Sequence, residues 1–170
     1  MEKANMKNEI LIAYYSWSGN TRKIAEMIAE ETGGTLFEIE PVKPYTTKYH
    51  DAVRQAKAEL AANFRPELKS MPEKSSNKIV FLGTPIWWST MAPPLATFIE
   101  NFDLEGKTVI PFHTHGGGGV GTFEMDIAEM CKAANIQDGL SVLNSGSYRS
   151  KEQIRHWLES MDLQVNKVEG

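Results

Sequence analysis

Ile10-Leu11-Ile12-Ala13-Tyr14-Tyr15-Ser16-Trp17-Ser18-Gly19-Asn20-Thr21 is the stretch on which the reading of this chain turns. Its first half is a continuous apolar run rich in β-formers, the pattern of a strand covered on both faces. Its second half breaks into small polar residues around Gly19 and runs straight into a helical pattern over Thr21–Glu31. There Ile24, Met27, Ile28 and Glu31 recur at helical spacing until Gly33-Gly34 stops the repeat. A buried strand, a tight polar loop and an amphipathic helix make one unit, and the rest of the chain varies it.

Thr35–Ile39 reads as a second strand ended by Pro41. The longest interval between strands, Pro41 to Asn77, holds a predicted helix over His50–Phe64, with Val53, Ala56, Leu60 and Phe64 on one face. Pro66 and the polar run Glu73-Lys74-Ser75-Ser76-Asn77 close it as surface loop. A third strand follows at Ile79–Gly83, then a helix over Leu95–Phe102 opened by Pro93-Pro94, since proline suits a first helical turn. Thr108–His113 is a fourth strand, Phe123–Ala134 a fourth helix and Leu140–Leu143 a fifth strand. The last helix starts at Ser150, where Ser150-Lys151-Glu152-Gln153 fits a capping box, with Ile154, Trp157, Leu158 and Met161 as its apolar stripe. Strands alternating with helices in this way predict one open parallel sheet with helices on both faces. No repeat or linker divides the chain, so residues 1–170 are expected to form a single domain with its core at about 8–161.

With 41% hydrophobic and 24% charged residues the composition is that of a globular protein. Eighteen basic against twenty-two acidic residues leave a net charge of −4, without a basic stripe for nucleic acid or a polybasic membrane patch. The one cysteine, Cys131, excludes an internal disulfide and suits a reduced, cytoplasmic setting, where its expected role is a buried small hydrophobe late in the fourth helix. Ile10–Tyr15 is far shorter than the ~20 residues of a spanning helix. It follows Glu2, Asn5, Asn8 and Glu9 without a small-residue cleavage site, which makes a poor signal peptide.

Sheets of this class bind ligands at the carboxyl ends of their strands, so three loops matter. Ser16-Trp17-Ser18-Gly19-Asn20-Thr21 offers hydroxyl and amide donors at a helix start, a phosphate seat built without lysine. It equally suits a plain strand-to-helix turn with Asn20 or Thr21 as N-cap. Thr84-Pro85-Ile86-Trp87-Trp88-Ser89-Thr90-Met91-Ala92-Pro93-Pro94 places two indoles beside rigid prolines. One indole is expected to face an aromatic ligand and the other to pack inward. Thr114-His115-Gly116-Gly117-Gly118-Gly119-Val120-Gly121 exposes backbone amides against which a planar ring can lie, or forms a flexible turn.

Ser-x-Ser-Gly-Asn-Thr after the first strand, Thr-Pro-Ile-Trp-Trp after the third and Thr-His-Gly-Gly after the fourth together resemble the flavodoxins, in particular a branch with a Pro-Ile-Trp-Trp motif. The resemblance runs from about Asn8 to Met161 with the motifs in order. It implies a three-layer α/β domain with a five-stranded parallel sheet in the order 2-1-3-4-5. It also implies bound flavin mononucleotide (FMN), with Ser16, Trp17 (through its backbone amide), Ser18, Gly19, Asn20 and Thr21 on the phosphate. Thr84, Pro85, Ile86, Trp87 and Trp88 would lie along one side of the flavin ring, and Thr114, His115, Gly116, Gly117 and Gly118 along the other. The implied function is electron transfer in one- or two-electron steps to a redox partner protein or a small acceptor, with no catalytic side chain and no metal. A charge of only −4 departs from the strongly acidic carriers of that family and keeps open an FMN-dependent NAD(P)H or quinone reductase; the 41–77 segment would either cover the flavin and shape such a pocket or form only an enlarged crossover.

Other readings meet specific obstacles. Gly116, Gly118 and Gly121 match G-x-G-x-x-G, but the acidic residue that fingerprint needs at the end of the next strand is absent, Asp138 standing before it. A receiver domain needs acidic residues where Tyr14-Tyr15-Ser16 and Leu82-Gly83-Thr84 stand, and no G-x-x-x-x-G-K-[ST] occurs. Cys131 lies outside any phosphate loop, which disfavours a cysteine phosphatase. His113 and His115 form an H-x-H without a neighbouring acidic or cysteine ligand, and His50 and His156 lie on other elements. His113 is expected at a strand end and His115 near the ligand, while Glu124, Asp126 and Glu129 are expected to form a solvated helix face.

Overall fold

In the computed structural model, which describes residues 9–73 and 76–161, β1 (Ile10–Tyr14) runs parallel between β2 (Thr35–Glu38) and β3 (Ile79–Trp87). Residues 1–8, cited above in the leader argument, and Lys74 and Ser75 of the polar run lie outside the described residues, as do residues 162–170. β3 pairs in turn with β5 (Thr108–His115), also in parallel, with Ile79 opposite Thr108 and Pro85 opposite Thr114. Every residue of β1 is buried, which explains its unbroken apolar run: a central parallel strand has no solvent face.

The main order is the expected one, β2-β1-β3-β5 with β7 (Leu140–Leu143) outermost, and two short strands are added to it. β6 (Asn135–Ile136) shares the fifth position with β7, pairing with Thr108–Val109 while β7 pairs with Phe112–His115. The break between them falls at Pro111, which has no N–H to give a ladder and whose Cγ would lie 3.2 Å from a Cβ at Gly139. β4 (Thr90–Met91) folds back antiparallel on the end of β3, with Ile86 opposite Met91 and Trp87 opposite Thr90. The tryptophan loop is therefore a β-hairpin rather than an irregular loop.

Side chains alternate between the two faces of β1, β3 and β5. Ile10, Ile12, Phe81, Ile110 and Phe112 pack under α1 (Asn20–Thr32) and α5 (Ser150–Ser160), through Ile24, Ile28, Ile154 and Leu158. Leu11, Ala13, Val80, Leu82 and Val109 pack under α3 (Pro93–Asn101) and α4 (Phe123–Met130), through Leu95, Phe98, Phe123 and Ile127. Gly83 is required at its place in β3, because a Cβ there would come within 2.1 Å of the Phe112 ring.

Four local expectations are corrected. The helix expected over His50–Phe64 is α2 (Tyr49–Ala61), and it buries Ala52 and Ala56. Phe64 lies past its end and is 49% exposed, because the chain leaves the helix before Phe64 can join the stripe. The fourth helix stops at Met130, so Cys131 caps it rather than lying within it; Cys131 is buried, and burial pushes its thiol up to about 11. The capping box does not form: Arg149 holds the cap position, and Ser150 Oγ accepts the Ser147 N–H at 2.8 Å instead. Asp126 is not part of a merely solvated face, since it accepts the hydroxyl of Thr90 and stands 2.9 Å from that of Thr122.

Candidate functional site

The carboxyl ends of β1, β3, β5 and β7 open on a cleft of about 430 Å³. At its β1 end, Gly19 caps α1 in a left-handed conformation at φ +97°. A helix leaves its first N–H groups without intrahelical acceptors. Here Ser16 Oγ takes two N–H groups, those of Gly19 (3.1 Å) and Arg22 (3.2 Å), while those of Asn20 and Thr21 have no protein acceptor among the described residues. A serine oxygen that accepts two N–H groups still has its own proton to donate. The loop is thus folded on itself yet keeps donors of no net charge. Arg22, one turn into α1, does not alter that: its guanidinium is paired with Glu38 across to β2.

Aromatic side chains form the second wall. Trp87 stands edge-on to Tyr45 (5.0 Å between centroids), Tyr15 (5.7 Å) and Trp17 (6.5 Å). Trp88 is half exposed at the rim, and Lys57 Nζ lies 5.1 Å from its ring. The third wall is α2, which turns Tyr49, Ala52, Val53 and Ala56 into the cleft. Two indole N–H groups hold it there: Trp17 Nε1 donates to Thr46 O and Trp88 Nε1 to Val53 O, each at 3.0 Å. Tyr45, whose hydroxyl bonds Glu59 of α2, ties the same segment to the Trp87 cluster. Burial holds the Tyr15 and Tyr45 hydroxyls well above the usual phenol range, so they stay neutral.

The glycine loop closes the cleft. His115 Nδ1 accepts the N–H groups of Gly117 (3.0 Å) and Gly119 (3.2 Å), which folds the loop around the imidazole and requires that nitrogen to be unprotonated. A Cβ on Gly116, Gly117, Gly118 or Gly119 would meet nothing within 4 Å. Beneath, the hydroxyls of Thr21 and Thr114 share a buried hydrogen bond of 2.7 Å that joins this loop to the first.

The flavodoxin family model matches residues 9–161, nine-tenths of the chain. The chain belongs to the flavodoxin family. Among solved structures, a flavoprotein from Bacteroides eggerthii is 32% identical over 92% of this chain and 99% of its own, with a TM-score of 0.81. A flavoprotein from Lactobacillus acidophilus in complex with FMN is 22% identical over 88% of this chain and 98% of its own, with a TM-score of 0.71. Flavodoxin 2 from Bacillus cereus, at 22% identity over 91% of this chain and 97% of its own, has the same fold at a TM-score of 0.58.

Within this flavodoxin, the three loops expected from the sequence do meet at one cleft. Trp17, Ser18, Asn20, Pro85, Ile86, Trp87, Trp88, Thr114, His115 and Gly116 line it. Ser16, Gly19, Thr21, Thr84, Gly117 and Gly118 do not. Thr21 is buried on Thr114, and Thr84 is fully buried, donating to Pro85 O at 2.8 Å and accepting the Ala92 N–H at 3.0 Å. Both hydroxyls therefore shape the loops from behind. The sequence reading missed Tyr49, Ala52, Val53 and Ala56, which carry no polar signature, and Asn144. Asn144 had a signal, since it directly follows the last strand at its carboxyl end. Among the described residues no group of three or more His, Cys, Asp or Glu could hold a metal, and no helix is long and apolar enough to cross a membrane.

Proposed function

We propose that this flavodoxin holds one FMN in the cleft and carries electrons between partners in one- or two-electron steps. The observation that carries the reading is the meeting of unlike walls at the sheet's carboxyl end: uncharged anion donors beside an aromatic slot of about 430 Å³. That size lies within the roughly 300–1,000 Å³ common for small-molecule sites. The donor set fits the cofactor. Ser16, Trp17, Ser18, Gly19, Asn20 and Thr21 would hold the phosphate, with the Asn20 and Thr21 N–H groups, the Ser16 proton and the α1 dipole all favouring an anion. With Thr84 holding their loop from behind, Pro85, Ile86, Trp87 and Trp88 would flank the ring on one side. Thr114, His115, Gly116, Gly117 and Gly118 would flank it on the other, where open space over the glycines leaves room for a planar group.

Bound FMN would supply the electron transfer itself. The chain's part is to anchor the phosphate, orient the ring and keep water from its face. No side chain is assigned as an acid or base. We place the protein in the cytoplasm, with a redox protein or a small acceptor as its partner.

A second reading, an FMN-dependent NAD(P)H or quinone reductase, is favoured by one observation: α2 walls the cleft with Ala52, Val53 and Ala56, an apolar side against which a small acceptor could lie. The test is the visible spectrum of the purified protein followed by an FMN titration. Flavin absorption bands and saturable one-to-one binding are expected; a colourless protein that ignores added FMN refutes the site. Steady-state oxidation of NAD(P)H without added reductase would replace the carrier reading with the enzymatic one.

A further inference from the structure

The turn between β3 and β4 has a shape that its residues disfavour. Both central residues, Trp88 at φ +49° and Ser89 at φ +71°, are left-handed. Two-residue hairpins with both residues left-handed are dominated by Asn-Gly and Gly-Gly, because a Cβ crowds the backbone there. Such strain persists only where the surroundings impose it.

The surroundings here come from the far end of the glycine loop. Ser89 O accepts the Thr122 N–H at 2.6 Å, and Thr122 Oγ1 lies 3.1 Å from the same oxygen. Thr122 Oγ1 is also 2.9 Å from Asp126 Oδ2, and Asp126 accepts the hydroxyl of Thr90, the residue that follows the turn. Since a hydroxyl has one proton, that of Thr122 is shared between its two acceptors. Gly121, at φ +57°, makes the approach possible: a Cβ there would stand 2.2 Å from Ser89 O. On the opposite side, the Trp88 indole is fastened to α2 through Val53 O.

We propose that Gly121, Thr122 and Asp126 are positioning residues that latch the Trp88-Ser89 turn to the glycine loop. The latch makes the two loops facing each other across the cleft move as one body and holds Trp88 at its rim. None of the three lines the cleft, so they act through Trp88. The proposal rests on the reading of the cleft as an FMN site, and its test separates the two.

Thr122→Val removes the hydroxyl while keeping side-chain shape and backbone N–H; Thr122→Ser restores the hydroxyl. In ligand-free protein, amide exchange at position 122, taken relative to the intrinsic rate of the residue there and followed by NMR, is expected to be about fivefold faster in Thr122→Val, and FMN binding, read from flavin fluorescence, about fivefold weaker. Thr122→Ser is expected to match wild type in both. Adding Ser89→Gly to Thr122→Val is expected to recover both readouts, because glycine holds the left-handed turn without strain. A lost hydroxyl that changes neither readout overturns the proposal, as does a loss that Ser89→Gly fails to rescue. Should wild-type protein bind no FMN, the site reading falls, and the exchange measurements alone still decide the latch.

Discussion

Acidification is expected to unload stability from this flavodoxin through His113. The side chain is 2% exposed in β5, with its ring 5.6 Å from Phe123 and 5.8 Å from His115, and neither ring nitrogen has a hydrogen-bond partner among the described residues. Burial, helped by the neighbouring His115, pushes its pKa from 6.5 down to about 4. The folded value lies below the unfolded one, so the unfolded chain takes up the proton first as pH falls. The contribution is therefore complete above pH 6.5 and is lost progressively towards pH 4. At about 1.4 kcal/mol per pH unit, the gap between 6.5 and about 4 amounts to roughly 3–4 kcal/mol. That is a large part of the roughly 5–15 kcal/mol of a typical domain. The assay is urea unfolding of wild type and His113→Leu, followed by tryptophan fluorescence from about pH 7.5 to about pH 4.5. Subtracting the two curves removes the carboxylates common to both proteins. The difference should stay flat above about pH 7 and then move against wild type by about 1.4 kcal/mol per pH unit. At neutral pH the variant should be at least as stable as wild type, since it removes two buried nitrogens left without partners. Parallel pH profiles for the two proteins would refute the argument.

Thr21→Val should cost about 1–3 kcal/mol by leaving the buried Thr114 hydroxyl unpaired, and adding Thr114→Val should recover part of it; a purely additive double mutant in urea melts would contradict a shared bond. Gly83→Ala should cost about 3 kcal/mol or more, because its Cβ would enter the Phe112 ring, and a melting temperature within a few degrees of wild type would show that the ring can move aside. Replacing both Trp87 and Trp88 by alanine should weaken FMN binding by about tenfold or more, and unchanged affinity in a fluorescence titration would discredit the aromatic wall. Trp88→Phe keeps the ring but loses the N–H bond to Val53 O; faster amide exchange confined to α2 is the expected signature.

The sequence by itself determined the sheet and the placement of the three loops. A run such as Ile10–Tyr14 states through its unbroken apolar, β-forming residues that it is a strand covered on both faces, and a helical stripe after Ser16–Thr21 states where the helix begins. Those are local properties, fixed by side-chain spacing along a few turns of chain. Strand order followed from the family resemblance, and the carboxyl ends of the strands then brought the loops together. What only the tertiary structure decided depends on contacts between distant residues. Ala52 and Ala56 carry no chemistry to read, and they help wall the cleft because bonds from Trp17 and Trp88 reach segments 29 and 35 residues away. His113 looked like an ordinary strand-end histidine until its burial left both nitrogens without partners. The left-handed Trp88-Ser89 turn goes against its local preference and is held by Thr122, 33 residues further on. Ser16 to Thr21 needed no such help to be found, because its glycine, its hydroxyls and the helix it opens are neighbours in the chain.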